Sequence, residues 1–262
     1  MAGLKREKKK WLKQHEHPLG GYVFAVFDRT DALKLPQLKL EEGTYARLIY
    51  LATYLDYNSQ KLKKPRGKPM MKKDAEKMLG LSRAEFYRFW KEATDAKCIM
   101  EDKDGGLLLP AEICFKGRVK PKKGLGLTRV HVKQMRELYK ATPVRSHRYL
   151  GAVLKMLPYV SVKYNILCWN PFEEDIDEVQ PMTLVEFCTL TGRGAKRTTE
   201  MRNTYKGIRF AMKDGISRPL CAFVRSTVGG GERDIIVVNP RVVFMGEDWR
   251  YVEEYIMHFS ED

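Results

Sequence analysis

The sequence predicts an α+β fold, mainly helical, in which the same order of elements occurs twice. In residues 71–117 a short helical segment is followed by the turn Gly80-Leu81, a second amphipathic helix and a β-hairpin. In residues 182–246 a helical segment, the turn Gly192-Arg193-Gly194, a longer helix and two strands follow in the same order. This is the order of a winged helix-turn-helix, so the sequence predicts two winged helix-turn-helix domains in tandem.

The start of the second helix in the first half is predicted from Ser82 and Glu85, which have the spacing of a capping box. The Ser82 hydroxyl can accept a hydrogen bond from the third amide of the helix, while the Glu85 carboxylate reaches back to the Ser82 amide. Phe86, Phe89, Trp90 and Ala93 then recur at helical spacing, and we expect that side to be buried. The hairpin that follows is predicted from two short apolar runs around Asp104-Gly105, a common turn sequence.

Further helices are predicted in residues 44–57, 146–157, 182–191 and 195–214, because their apolar residues recur at helical spacing. The helix in 182–191 is expected to bury Leu184, Val185, Cys188 and Leu190. Since both halves also end in a Pro…Phe-x-Gly motif, an internal duplication is predicted. The predicted organisation is a basic N-terminal arm in 1–20, winged-helix domain 1 in 21–117, a basic linker in 118–129, winged-helix domain 2 in 130–246 and a C-terminal amphipathic helix in 247–262.

The composition favours a polyanionic partner. The 262-residue chain carries 48 Lys and Arg against 33 Asp and Glu, a formal net charge of +15. Nucleic acid is the first candidate and an anionic membrane surface the second, although no long basic amphipathic helix flanked by Trp or Phe supports the latter. No apolar run reaches the ~20 residues of a membrane span, and no apolar segment follows the basic N-terminus as in a signal peptide. We therefore expect a cytoplasmic protein with no membrane partner.

Two helices are predicted to act as recognition helices, because each would present polar or basic residues on the outward face of its N-terminal half. That end of a recognition helix enters the major groove, where Arg and Lys can pair with guanine and Asn with adenine. For any single residue the alternative is an ordinary exposed helix face. The predicted base-contacting residues are Arg83, Tyr87, Arg88 and Lys91 in the first helix, and Lys196, Arg197, Thr199 and Asn203 in the second.

Phosphate contacts, which position a protein without identifying a sequence, are predicted from three groups of basic residues. The first group is a loop in residues 60–73 that contains no acidic residue and is interrupted by Pro and Gly; the alternative is a merely solvated loop. The second is a basic stripe at helical spacing in residues 195–214, and the third is the second wing. The first wing is acidic and poorly suited to phosphates. The predicted phosphate-binding residues are Lys63, Lys64, Arg66, Lys68, Lys72, Arg202, Lys206, Arg209, Lys213, Arg225 and Arg233.

No catalytic residue, metal site or cofactor is predicted, and we expect that the chain is not an enzyme. His15-Glu16-His17 has the composition of a metal pair in tyrosine-dependent nicking enzymes, but it lies in a polar leader instead of on an apolar strand. The segment Gly192–Lys196 lacks the spacing of a P-loop, although amides at a helix start can hold a backbone phosphate. The five scattered cysteines form no C-x-x-C pair and are expected to be reduced core residues.

With these elements placed, the chain resembles the tandem winged-helix replication initiators of plasmids and phages over most of residues 40–246. The resemblance rests on the helix in 44–57, Leu79-Gly80-Leu81-Ser82, His147-Arg148-Tyr149-Leu150 and the ending Asn239-Pro240-Arg241-Val242-Val243-Phe244-Met245-Gly246. It implies a protein that binds repeats at an origin, or an operator, and recruits host replication proteins without catalysis of its own. The Gly-rich second wing and the acidic insert in 173–178 depart from a compact member of that family.

The predicted function is sequence-specific binding of double-stranded DNA for replication initiation. A transcription regulator is the alternative, since the same fold serves both functions. Two rivals from other classes are a winged-helix module that binds and inhibits or retargets a host protein, and a nicking enzyme that uses His15, His17 and a tyrosine. The C-terminal helix is expected either to pack on the chain or to form a homodimer.

Overall fold

The computed structural model describes residues 17–29, 35–118, 124–194, 197–212, 214–228 and 232–259. The architecture is α+β, with helices and small antiparallel sheets. The helices are α1 (Pro36–Lys39), α2 (Glu42–Ala52), α3 (Lys72–Leu79), α4 (Arg83–Asp95), α5 (Val132–Ala141), α6 (His147–Lys155), α7 (Leu184–Leu190), α8 (Thr198–Lys206) and α9 (Glu253–Ile256). The strands are β1 (Tyr22–Asp28), β2 (Met100–Glu101), β3 (Leu107–Leu108), β4 (Cys114–Phe115), β5 (Leu125–His131), β6 (Arg209–Ala211), β7 (Ser217–Pro219), β8 (Cys221–Ser226), β9 (Arg233–Val238) and β10 (Val243–Phe244).

The chain divides into two compact units that differ from the predicted domains. The first unit comprises Tyr22–Val130 and Pro143–Pro158, and the second comprises Met1–Gly21, His131–Thr142 and Tyr159–Asp262. Helix α6, which was predicted to open the second domain, therefore belongs to the first unit and packs against α2. The packing depends on Gly151, because a Cβ at this position would lie 1.7 Å from the Glu42 carbonyl oxygen.

The predicted linker in 118–129 is also corrected, because residues 125–129 lie in β5. The buried positions along this strand are Gly126, Thr128, Val130 and His131. A Cβ at Gly126 would lie 2.2 Å from ring atoms of Phe27, so glycine permits the close approach of β5 to that ring. Residues 119–123 of the predicted linker lie outside the described part of the chain.

Three backbone hydrogen bonds define how the first unit joins its helices to its hairpin. The Leu62 amide donates to the Leu107 carbonyl at 2.9 Å, and the Met70 amide donates back to the Leu62 carbonyl at 2.9 Å. The Lys63 amide donates to the Tyr54 carbonyl at 2.9 Å. The segment between α2 and α3 is thereby hydrogen-bonded to β3, the returning strand of the β2–β3 hairpin.

The second unit contains the same set of hydrogen bonds. The Leu167 amide donates to the Ile236 carbonyl at 2.8 Å, and the Met182 amide donates to the Leu167 carbonyl at 2.8 Å. The Cys168 amide donates to the Tyr159 carbonyl at 2.8 Å. The segment before α7 is thereby hydrogen-bonded to β9, the returning strand of the β8–β9 hairpin, so the connectivity of the first unit is repeated.

Helix α8 is shorter than the helix predicted in 195–214. It ends at Lys206, where Gly207 follows, and the chain then enters β6. Strand β6 pairs antiparallel with β7, and the side chain of Phe210, the central residue of β6, is 1% exposed. Burial of Phe210 and pairing with β7 thus replace the last two turns of the predicted helix, and the predicted basic stripe is interrupted after Lys206.

The remaining helices are close to their predicted ranges but differ in detail. Helix α7 buries Leu184 and Cys188, whereas Val185 and Leu190 are 46% and 42% exposed, contrary to the predicted core face. The predicted C-terminal helix is interrupted: a 3-10 turn in Trp249–Val252, α9 and a second 3-10 turn in Met257–Phe259 follow one another. Its apolar residues pack within the second unit, in clusters that contain Phe244, Trp249 and Val252, and Ile235, Tyr255 and Phe259.

Candidate nucleic-acid interface

The N-terminus of α4 has the predicted capping box. The Glu85 amide donates to the Ser82 hydroxyl at 3.3 Å, and the Ser82 amide donates to the Glu85 carboxylate at 3.2 Å. The hydrogen bond from the Ser82 side chain, followed by the one from its amide, holds the pKa of Glu85 below its ordinary value. The start of α4 is therefore fixed by local hydrogen bonds, and so are the positions from which its first side chains extend.

The outward face of α4 carries the predicted base-contacting residues of the first helix. Arg83, Tyr87, Arg88 and Lys91 are all exposed, with Tyr87 at 66%, whereas Phe86, Phe89, Trp90 and Ala93 are buried on the other side. Lys91 forms an ion pair with Asp95 at 2.7 Å, and this partner raises the pKa of the lysine. The N-terminal half of the face, with Arg83 and Tyr87, is thus the part best placed for base contacts.

Two contacts fix α4 against its neighbours in the first unit. The Glu92 carboxylate accepts hydrogen bonds from the Glu41 amide and the Thr44 hydroxyl, both at 2.5 Å, and so satisfies donors at the start of α2. The Lys72 ammonium, at the start of α3, lies 4.6 Å from the centroid of the Trp90 ring. Lys72, predicted to bind phosphate, therefore also holds α3 close to α4.

The predicted basic loop in 60–73 is an ordered, turned segment in which several lysines have acidic partners. Antiparallel bridges join Leu62 to Leu55 and Lys63 to Pro69. The Lys63 ammonium lies 2.8 Å from the Asp56 carboxylate, and this contact is the main cause of the lowered pKa of Asp56. Lys64 pairs in the same way with Asp74, at 3.0 Å. The basic residues that remain exposed at the tip of the segment are Arg66 and Lys68.

The β2–β3 hairpin, which the sequence predicts to be the first wing, has an acidic turn. The Asp102 carboxylate accepts hydrogen bonds from the amides of Asp104 and Gly106, at 3.0 and 2.8 Å, and thereby fixes the hairpin turn. The Gly106 amide is the main cause of the lowered pKa of Asp102, and Lys61 lies 3.6 Å from the carboxylate. This wing is built around a carboxylate, so it offers little to a phosphate backbone.

The second predicted recognition helix, α8, also has exposed polar residues in its N-terminal half. Thr199 and Asn203 are exposed on it, and Arg197 precedes it and lies 3.8 Å from Glu200. The opposite side is buried, where the Tyr205 ring packs edge-on against a ring of α7 with centroids 4.8 Å apart. Lys196, another predicted base contact, lies outside the described residues.

Arg202 and Arg225, both predicted to bind phosphate, share one acidic partner. The Arg202 guanidinium lies 2.7 Å from the Asp234 carboxylate and 5.3 Å from the centroid of the Phe223 ring. Arg225 lies 3.6 Å from Asp234 and 3.4 Å from Glu232. The hydrogen bond with Arg202 is the first cause of the lowered pKa of Asp234. Asp234 thus connects α8 to the β8–β9 hairpin, a contact that the sequence prediction missed.

Arg209 is not part of a helical stripe, contrary to the prediction. It lies in β6, where its Nε donates to the Ser217 hydroxyl at 3.1 Å and a terminal nitrogen donates to the Ser217 carbonyl at 2.7 Å. Its guanidinium therefore stabilises the β6–β7 hairpin. Lys206 is exposed at the end of α8, whereas Lys213 and the side chain of Arg233 lie outside the described residues.

The buried Arg218 side chain forms an ion pair with the exposed Asp214 in the same hairpin, and we expect this pair to make stability depend on pH. Arg218 is 5% exposed, and two of its nitrogens lie 2.9 and 2.6 Å from the Asp214 carboxylate oxygens. The hydrogen bond from Arg218 is the first cause that lowers the pKa of Asp214 from 3.8 to about 2. The ion pair therefore stabilises the folded state fully at pH values above 3.8, the ordinary pKa of Asp214, and this stabilisation is lost as the pH falls towards 2.

Asp214→Asn is therefore expected to lower the urea midpoint at pH 7, because it leaves the Arg218 charge without its anion. The difference between this variant and the wild type should shrink as pH falls below 4. The urea midpoints of the two proteins are measured by circular dichroism at pH 7, 4 and 2.5. An equal difference at all three pH values would show that the charge of Asp214 does not stabilise the fold.

The described residues offer no arrangement of donors for a metal ion. In those ranges no group of three or more His, Cys, Asp or Glu side chains is placed to hold one. His15 and Glu16 lie outside them, and His17 lies in a short 3-10 turn. All five cysteines are buried and free, and burial raises the pKa of Cys98 to about 11 and of Cys168 and Cys221 to about 12.

Comparison with protein-family models, with curated proteins and with solved structures finds no match to this chain. Among the described residues, no helix is long and apolar enough to cross a bilayer.

Proposed function

We propose that the chain contains two winged helix-turn-helix arrangements in tandem and binds double-stranded DNA sequence-specifically through α4 and α8. The support is the repeated connectivity of the two units. In each, the segment before a helix pair is hydrogen-bonded to the returning strand of a hairpin, at Leu62–Leu107 in one and Leu167–Ile236 in the other. In this proposal the two hairpins are the wings, and α4 and α8, the second helices of the two pairs, are the recognition helices.

The observation that carries the proposal is the uncovered N-terminal face of α4. Arg83 and Tyr87 are exposed on a helix whose start is capped by Ser82 and Glu85 and whose other face is buried. A helix held rigidly in this way presents side chains to base edges with little loss of conformational freedom. The exposed tip with Arg66 and Lys68 and the net charge of +15 supply basic groups for phosphate contacts.

The biological role that we propose is replication initiation for a plasmid or phage, without catalysis of its own. This step rests on the resemblance of residues 40–246 to tandem winged-helix initiators. Two successive DNA-binding units in one chain fit binding at repeated sites, and host replication proteins are the partners that this role implies. Transcription regulation is the alternative role for the same geometry.

The test is a DNase footprint on the DNA that flanks the gene of this protein, combined with a salt titration on the protected sequence. We expect protection of several direct repeats, and a steep linear fall of log K with log salt because bound phosphates release counterions. A single inverted repeat over a promoter would instead favour a regulator. If no DNA were protected, and if the chain instead bound an acidic host protein in a pull-down at both low and high salt, sequence-specific DNA binding would be contradicted. A module that binds a host protein would then be favoured.

A further inference from the structure

A cleft of about 200 Å³ lies in the first unit beside α4, and it borders the outward face of this helix at Arg88. The start of α2, the start of α6 and the side of α4 form its walls. Four arginines line it, together with the carboxylates of three glutamates. The arginines are Arg47, Arg88, Arg145 and Arg148.

Two of the three carboxylates in this arginine cleft are already engaged with the backbone and side chains of the protein. Glu92 accepts from the Glu41 amide and the Thr44 hydroxyl, and Glu85 accepts from the Ser82 amide and hydroxyl. These bonds hold helix starts, and the pKa of Glu85 is lowered mainly by the hydrogen bonds from Ser82, with a smaller electrostatic contribution from Arg47 and Arg88. The third glutamate, Glu41, is exposed at the rim.

The guanidinium groups of the arginine cleft keep unused donors. Arg47, Arg88 and Arg145 make no hydrogen bond or ion pair within the part of the chain that the structure describes, and the Arg47 Nε is a buried donor without a partner there. A buried N–H without an acceptor costs free energy unless a ligand supplies one. A guanidinium presents a planar fork of five donors, which matches a ligand with several acceptor oxygens.

We propose that the arginine cleft binds a phosphate group. A phosphate offers negative charge and several acceptor oxygens at one point, which complements several guanidinium groups that line one cleft. The phosphate can belong to the DNA backbone, since α4 forms one wall of the cleft, or to a free phosphate-bearing small molecule. Only the DNA source rests on the function proposed above.

Inorganic phosphate is the probe that tests the cleft without DNA. Titration of the full chain in a chloride buffer of constant ionic strength is followed by thermal unfolding and by the phosphorus NMR linewidth. We expect a phosphate-dependent rise in Tm and line broadening for the wild type, because a ligand that binds the folded state stabilises it. Both effects should be lost in Arg145→Gln and Arg47→Gln, and retained in Lys103→Gln, which removes one charge from the acidic first wing.

The choice of variants protects the test from failures of folding. Arg145 is exposed, so its replacement is expected to leave the fold intact. Arg47 is half-buried, and Arg47→Lys keeps its charge while it removes the planar fork; we expect this variant to fold and to bind phosphate more weakly. No phosphate effect in the wild type, or an effect of equal size in Arg145→Gln, Arg47→Lys and Lys103→Gln, would overturn the proposal.

DNA binding by the same variants identifies the source of the phosphate. If Arg145→Gln loses phosphate binding and its salt slope on duplex DNA falls by about one, a backbone phosphate occupies the cleft. If phosphate binding is lost and DNA binding is unchanged, the cleft serves a free phosphate-bearing molecule. Both results support phosphate binding in the arginine cleft. If the wild type failed to bind DNA, the proposed function would be contradicted, but the titration with inorganic phosphate would still test the cleft.

Discussion

Arg83→Ala is expected to weaken binding to the cognate duplex by about 1–3 kcal/mol, or roughly 5- to 150-fold, and to leave binding to random DNA almost unchanged. The reason is the position of Arg83 in the first turn of α4, exposed and next to a capped helix start. An arginine at this end of a recognition helix can pair bidentately with guanine, and that contact exists only on the correct sequence. Fluorescence anisotropy on the footprinted repeat and on a shuffled duplex measures both affinities.

Tyr87→Ala should act in the same direction, because its ring is 66% exposed one turn further along the same face. Lys103→Ala is the control, since this lysine lies in the acidic wing and is also exposed. All three side chains are exposed, so the free energy of unfolding should change by no more than about 0.5 kcal/mol. If Arg83→Ala weakened cognate and random DNA equally, Arg83 would be a phosphate contact and the outward face of α4 would not discriminate sequences.

Helix α4 and the β2–β3 hairpin could be predicted because their determinants are local in the sequence. A capping box acts over four residues, and the turn at Asp104-Gly105 needs only its own residues. The apolar side of α4 follows from its period, and Phe86, Phe89, Trp90 and Ala93 are all buried as expected. Periodicity and turn chemistry are sufficient when a short segment decides its own conformation.

The elements that the sequence prediction missed depend on partners far along the chain. Two of the buried positions of strand β5 are Gly126 and Thr128, so its sequence lacks the regular apolar–polar alternation that predicts a half-buried strand. The stripe through Arg202 and Arg209 has helical spacing, yet Arg209 pairs with Ser217 in a hairpin. Spacing within a segment contains no information on which distant residues it will contact, and burial of Phe210 decides the conformation there.

The same limitation affected the predicted site. Arg202 has the position of a phosphate contact, but its partner Asp234 is separated from it by 32 residues. Lys63 and Lys64 look unopposed in a loop without acids, yet Asp56 and Asp74 lie just beyond its ends in sequence and pair with them in space. The net charge therefore overstates the number of basic groups available to DNA, because part of it is neutralised by acids within the fold.

Asp234→Asn should increase affinity for random duplex DNA and make the salt dependence steeper, because it releases Arg202, whereas Arg225 keeps Glu232 as a partner. Each guanidinium that gains a phosphate adds about 0.9 to the slope of log K against log salt, so we expect a change of roughly 0.9. The lowered pKa of Asp234 keeps it ionised at neutral pH, so the wild type retains both ion pairs during the measurement. Since the side chains are partly exposed, the loss of stability should stay within about 1 kcal/mol.

Asp104→Asn provides the matched control, because it removes the same charge from the exposed turn of the first wing. It raises the net charge equally but releases no arginine, so its slope should stay close to that of the wild type. Discrimination between cognate and random DNA should fall in Asp234→Asn, since the gain is sequence-independent. Identical slopes in the two variants would mean that net charge alone acts; a shallower slope in Asp234→Asn would show that the carboxylate instead holds Arg202 in a DNA-binding position.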